Sequence, residues 1–222
     1  MTVVAVVAGG YWLLRSPLFS VDHVDVVGVD RAPVASILAQ AGVIEGTPII
    51  DIDPARIEAA LETDRWVADA TVERSWSGLV RVTVTERVPL AMVTAADQAV
   101  VVAADGVVLE EADPGGLPTI TAPGEQAAGL ARDPVVSDLL AFVDRLSPNV
   151  RQVTSLTMTE GQVEGTVAGY PVRIGRPDDP LDKADALMAV LATNPEPGST
   201  INLLSADRPA VAPPTTEPAE ES

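Results

Sequence analysis

Between Ala70 and Thr85 the chain alternates apolar and polar residues on both sides of a short Trp76-Ser77-Gly78 turn. Ala70, Val72 and Arg74 alternate with Thr71, Glu73 and Ser75; Val80, Val82 and Val84 alternate with Arg81, Thr83 and Thr85. A period of two on both arms fixes a β-hairpin with one buried face. The segments before it supply the cover. Val24, Val26 and Val27 form a strand ended by Gly28, and Pro33 opens a helix with Val34, Ile37, Leu38 and Ala41 at helical spacing. Gly42 sits where a left-handed cap belongs. A connection from Val43 to Asp51 leads to Asp53-Pro54, an N-cap followed by a proline suited to the first turn, and Ile57, Ala60 and Leu61 give the second helix its apolar stripe. Trp66-Val67 packs the end of that helix onto the sheet. Phe19 to Ala91 thus reads as strand, helix, helix, strand, strand, with the helices covering the face that three strands alone cannot bury.

From Leu90 the pattern changes. Residues 91–95 and 98–103 read as strands, and Asp105-Gly106 makes the tight turn into Val107-Val108-Leu109. A Gly/Pro-rich loop spans 113–124. Asp133-Pro134 caps a helix that turns Val135, Val136, Leu139, Leu140, Val143 and Leu146 inward and ends at Pro148. Strands follow at 150–159, 162–167 and 170–174, joined by turns at Glu160-Gly161 and Ala168-Gly169. A helix over 181–193 comes next, then a strand at 200–204, with 208–212 extending it or adding another. Residues 213–222, PPTTEPAEES, are too polar and proline-rich to fold.

The 222 residues are 47% hydrophobic, enough for one good core or two modest ones. A net charge of -18 repels phosphate backbones, which argues against nucleic acid as a partner. Cysteine is absent, which excludes disulfides, thiolate metal sites and cysteine nucleophiles. Residues 3–14, VVAVVAGGYWLL, carry no charge, whereas a full span needs about 20 apolar residues. A secretory h-region lacks its basic n-region here, since only Met1-Thr2 precede it. The outer part of a single membrane helix fits better, with Tyr11 and Trp12 in an interfacial belt and Arg15 as the stop.

In FSVDHVDVVG (19–28), WVADATVERSW (66–76) and LVRVTVTERVPLA (79–91) the chain resembles the FtsQ/DivIB family of cell-division proteins. ADGVVL (104–109), LP (117–118), YPVRIG (170–175) and INLLSADRPAV (201–211) extend the resemblance into the second half. Ser77 stands where the family often has the proline of a "WP" turn, and the first residues hold little of a membrane helix and no cytoplasmic tail. The resemblance implies an α+β fold: a partial membrane helix at 1–16 and a POTRA-type β-α-α-β-β domain at 17–88. A second mixed α+β domain with a largely antiparallel sheet follows at 89–212, then a disordered acidic tail at 213–222. It implies a non-catalytic bitopic scaffold of the cell membrane, single-pass type II, with its domains outside the cytoplasm at the division septum. The implied partners are small bitopic division proteins of the FtsB and FtsL kind, and in the family the last strand of the second domain receives an extended partner strand. Open edge strands offer unpaired N–H and C=O groups to such a strand. On this chain the edge is expected at Ser205, Ala206, Asp207, Arg208, Pro209, Ala210 and Val211. Pro209 suits an edge and limits pairing, and Arg208 is suited to a partner carboxylate. Trp76 and Arg74 are candidates for a second interface.

Other function classes fare worse. His23 is the sole histidine, lies just before a strand and has no G-x-S-x-G nucleophile to serve, so it reads as a surface residue. Lys183, the sole lysine, sits between Asp182 and Asp185 and reads as a solvated charge. Asp51 and Asp53 are explained by helix capping before calcium, and Asp178, Asp179 and Asp182 by the helix dipole. No glycine-rich phosphate loop is present, and no cofactor, metal or small-molecule substrate is expected. Trp66 reads as core, and Glu86-Arg87 as a salt bridge at the domain junction. A POTRA unit feeding an outer-membrane barrel needs far more strand than follows Ala91. A secreted carbohydrate- or peptidoglycan-binding module lacks an aromatic platform at 3% aromatics.

Overall fold

The computed structural model describes residues 4, 12, 15–16, 19–109, 112–113 and 115–214, and the chain divides into two compact units, Met1–Arg87 and Val88–Ser222. The expected membrane helix lies almost wholly outside the described residues, as does the tail beyond Pro214. Among the described residues no helix is long and apolar enough to cross a membrane.

In the first unit, β1 (His23–Val27) precedes α1 (Val34–Gln40) and α2 (Pro54–Leu61), and β2 (Val67–Arg74) and β3 (Leu79–Glu86) close the hairpin. The sheet order is β1-β3-β2, with β1 parallel to β3 and β2 antiparallel to it. The caps read from the sequence are in place: Gly42 has φ +82°, and the Asp53 side chain accepts from the Arg56 N–H at the start of α2. Leu38, Ile57 and Leu61 from the helices meet Val72, Val80, Val82 and Val84 from the hairpin in one core. Each such buried side chain contributes about 1.5–3 kcal/mol. Gly28, at φ +84°, passes so close to the Val84 carbonyl that a Cβ has no room.

Glu86 and Arg87 each bind backbone groups of the first unit. Glu86 Oε1 accepts the N–H groups of Asp30, Arg31 and Ala32 at 3.0, 2.8 and 2.7 Å, tying the β1–α1 loop to the end of β3. Arg87 Nη1 donates to the carbonyls of Arg65 and Val67, and Arg31 lies over the half-buried Trp66 ring at 4.8 Å. The loop before α1 presents three consecutive N–H donors, and the Glu86 carboxylate accepts all of them. For the Glu86 carboxyl, burial is the largest influence and pushes its pKa up. The three backbone donors and the Arg31 charge together outweigh it and hold the pKa below the ordinary 4.5. A depressed carboxylate stabilises the fold above its unfolded pKa, and this contribution is lost as pH falls through the folded value. Glu86→Gln is therefore expected to lower first-unit stability by about 1 kcal/mol at pH 7. It is also expected to flatten the stability loss between about pH 5 and pH 3. Urea titrations of both proteins across that range check it; parallel pH curves would refute the assignment.

The second unit contains β4 (Pro89–Ala95), β5 (Gln98–Ala103), β6 (Thr119–Thr121), α3 (Ala127–Leu130), α4 (Pro134–Arg145), α5 (Pro148–Arg151), β7 (Thr154–Thr159), β8 (Gln162–Val167), β9 (Tyr170–Gly175), α6 (Pro180–Ala192), β10 (Thr200–Asn202) and β11 (Ala210–Ala212). They build one sheet in the order β11-β10-β9-β8-β7-β6-β4-β5. Both two-residue turns predicted at 160–161 and 168–169 have positive φ at each position, as type I′ hairpins require.

Two expectations, for residues 113–124 and 150–159, need correction. The sheet is largely antiparallel, with β4–β6, β6–β7 and β9–β10 paired in parallel. Parallel neighbours require crossovers, and the segments from α3 to α5 and α6 supply them for β6–β7 and β9–β10. The 113–124 loop holds β6, whose Ile120 is fully buried; a three-residue strand between prolines is too short to show a period. Residues 148–151 form a helical turn and β7 starts only at Thr154, because Pro148 opens a turn as readily as it ends a helix. Helices α4 and α6 pack together, joined at the surface by Arg145 to Asp185 at 2.7 Å. Leu139, Leu140, Phe142 and Val143 from α4 fill the core with Ile120, Leu156, Ile174, Leu187 and Ile201; Val135 is only half-buried.

Candidate functional site

The two ends of the second sheet differ. At β5, Val107–Leu109 folds back along the strand: the Ala103 N–H donates to the Val107 carbonyl at 3.0 Å and the Leu109 N–H to the Val101 carbonyl at 2.9 Å. At the other end, among the described residues, β11 pairs with β10 alone.

Ser205, Ala206, Asp207 and Arg208 form the turn between β10 and β11, with the Arg208 N–H directed at the Ser205 carbonyl at 3.4 Å. Pro209 leads out of the turn, and Ala210 and Val211 lie in the strand with Ala212. The expected edge is thus shorter than Ser205 to Val211, because the chain must reverse before it can pair.

Alternation along the ladder decides which groups the edge displays. The Leu203 N–H donates to the Arg173 carbonyl at 2.7 Å, and Asn202 pairs with Arg173 in parallel register. The backbone groups of Ile201 and Leu203 therefore face β9, and those of Thr200 and Asn202 face β11. Across the antiparallel register, Thr200↔Ala212 and Asn202↔Ala210 are the hydrogen-bonded pairs, and Ile201↔Val211 is the pair without bonds. The N–H and C=O of Val211 point away from the sheet. The positions that flank the strand, 209 and 213, are both proline and offer no N–H. The outer rim of the strand has one donor, the Val211 amide. The Val211 side chain stands opposite the buried Ile201 and is 45% exposed. The parity of the donors and the role of Pro213 were not readable in the sequence, since both depend on the register with β10.

Lys183 is not a solvated charge. It is 2% exposed, and its Nζ donates to the carbonyls of Ile174 and Arg176 and to Asp178 Oδ1. The β8–β9 register skips Ile174, so this carbonyl is the extra one of a β-bulge, and the lysine supplies its donor. The hydrogen bond from Lys183, foremost, holds the Asp178 carboxyl below its usual range.

The remaining candidates are dispersed. Arg74 Nη1 donates to the carbonyls of Ile49, Ile50 and Ile52, tying down a 3-10 turn in the first unit, while Trp76 stands exposed in the β2–β3 turn. His23 is exposed at the start of β1. Asp51 pairs with Arg15 at 2.8 Å and Asp53 caps α2. Among the described residues no three His, Asp or Glu side chains are grouped to hold a metal ion.

Residues 19–87 match the family model described as "POTRA domain, FtsQ-type", and residues 91–207 match "Cell division protein FtsQ/DivIB, C-terminal". The cell division protein FtsQ of Mycolicibacterium smegmatis is 31% identical over 217 residues, which cover 94% of this chain and 62% of that protein. FtsQ of Mycobacteroides abscessus is 29% identical over 91% of this chain and 64% of its own length. The chain thus spans somewhat under two thirds of these relatives. The solved extracytoplasmic domain of DivIB from Geobacillus stearothermophilus aligns over 50% of this chain and 99% of its own at 17% identity, with a TM-score of 0.34. On the two consecutive domain matches, this chain belongs to the FtsQ/DivIB family of cell-division proteins.

Proposed function

We infer that the chain is a non-catalytic, membrane-anchored assembly factor of the division septum that captures a partner ectodomain by β-augmentation at β11. The observation that carries this reading is the rim of β11, unpaired among the described residues, where the Val211 N–H and C=O lie beside a half-exposed valine side chain. An incoming strand donates to the Val211 carbonyl and accepts from its N–H, so pairing is short and its register is set by a single donor. Arg208, in the turn beside the rim, selects a partner carboxylate at that end. A small bitopic protein of the FtsB or FtsL kind, presenting an extended acidic segment, fits this chemistry. The run at 3–14 serves as the anchor that holds both units outside the cytoplasmic membrane in single-pass type II orientation.

Amide hydrogen exchange tests the edge directly. In the free chain the Val211 amide is expected to exchange fast and the Ala210 and Ala212 amides more slowly. Adding the partner ectodomain is expected to slow Val211 by an order of magnitude or more. Partner binding that leaves Val211 as fast as before would sink the β11 assignment.

A further inference from the structure

The first unit gathers exposed apolar side chains at the pole where the chain enters it. Trp76 is 58% exposed in the β2–β3 turn, and its ring meets Phe19 edge-on at 6.5 Å. Ser20 bridges to Pro48. The next residue bonds the same loop twice: the Val21 N–H donates to the Thr47 carbonyl at 2.7 Å, and the Val21 carbonyl accepts from the Gly46 N–H at 2.8 Å. This draws the loop carrying Ile44, 56% exposed, alongside the entering strand. The charges here do not form a basic patch. Arg15 pairs with Asp51, Arg74 is occupied by backbone carbonyls, and Asp22 and Glu45 are exposed.

The position of this pole along the chain identifies its occupant. Phe19 follows Arg15 by four residues, so it lies within about 14 Å of it, and the uncharged run at 3–14 ends directly before Arg15. Tryptophan, with an apolar body and one polar N–H, favours the boundary between headgroups and acyl chains. We propose that Trp76, Phe19 and Ile44 seat the first unit in the phospholipid interface, so that the unit rests on the bilayer. The inference depends on the anchored reading above. The tether makes it feasible at low intrinsic affinity, because it holds the aromatic pair at high effective concentration beside the lipid.

The test is quenching of tryptophan emission in the full 222-residue chain reconstituted into phosphatidylcholine vesicles with brominated acyl chains. The wild type is compared with Trp12→Phe, Trp76→Phe and the double variant. Retained quenching in Trp12→Phe, lost in the double variant, supports lipid contact by Trp76; replacing Phe19 by Ser should then reduce it. Quenching in the wild type and in Trp76→Phe but not in Trp12→Phe overturns the inference while leaving the anchor intact. Quenching in Trp12→Phe but not in Trp76→Phe overturns the anchored reading and, with it, the tethered seating proposed here, leaving lipid contact by Trp76 without a tether. No quenching in the wild type overturns both.

Discussion

Val211→Pro is expected to abolish capture of a partner strand while leaving both units folded. Positions 209 and 213 are already proline, so this substitution removes the last strand donor on the outer rim of β11 and places a ring where the partner backbone must approach. The native ladder loses nothing, because Val211 is the residue of β11 that exchanges no bonds with β10. Affinity should fall at least tenfold, about 1.4 kcal/mol or more, as measured by calorimetric titration with the partner ectodomain. Val211→Ala keeps the amide and should retain most of the binding. Ala210→Pro removes a donor of the native ladder instead, so it should detach β11 from β10 and lower stability as well as binding. Equal binding by Val211→Pro and wild type would refute augmentation at this edge.

Lys183→Met is expected to destabilise the second unit by about 2–4 kcal/mol, since buried acceptors stripped of a charged donor each cost on the order of 1–3 kcal/mol. Methionine replaces the stem but not the Nζ. The Ile174 carbonyl, already outside the β8–β9 ladder, would then be left unpaired. Asp178 is largely exposed, so water replaces its partner and moderates the loss. Two readouts separate this role from simple packing. The urea midpoint should fall, and the Asp178 carboxyl, held low chiefly by its bond from Lys183, should titrate nearer the ordinary carboxylate value when followed by NMR. An unchanged midpoint would dispose of the pinning role.

Lys183 also shows where linear reading stops. Its neighbours Asp182 and Asp185 suggest solvent, yet the bulge at Ile174 decides its environment, and a bulge is a mismatch between two strands invisible in either one. Glu86 is a similar case: its three donors lie more than fifty residues upstream, and only the return of β3 beside β1 brings them to it. Ile120 was hidden for another reason, since three residues cannot display a period.

The sequence by itself determined the local grammar of this protein. Alternation set the hairpins, Asp-Pro pairs set the helix starts, glycines set the left-handed turns, and the resulting motifs identified the family. These signals are legible because each depends on residues within one turn or one strand. Tertiary structure alone decided the mixed pairing of the second sheet, the burial of Lys183, and which amide of β11 faces outward. Those outcomes depend on register between segments far apart in the chain, and a shift of one residue would exchange the bonded and free groups of the entire edge.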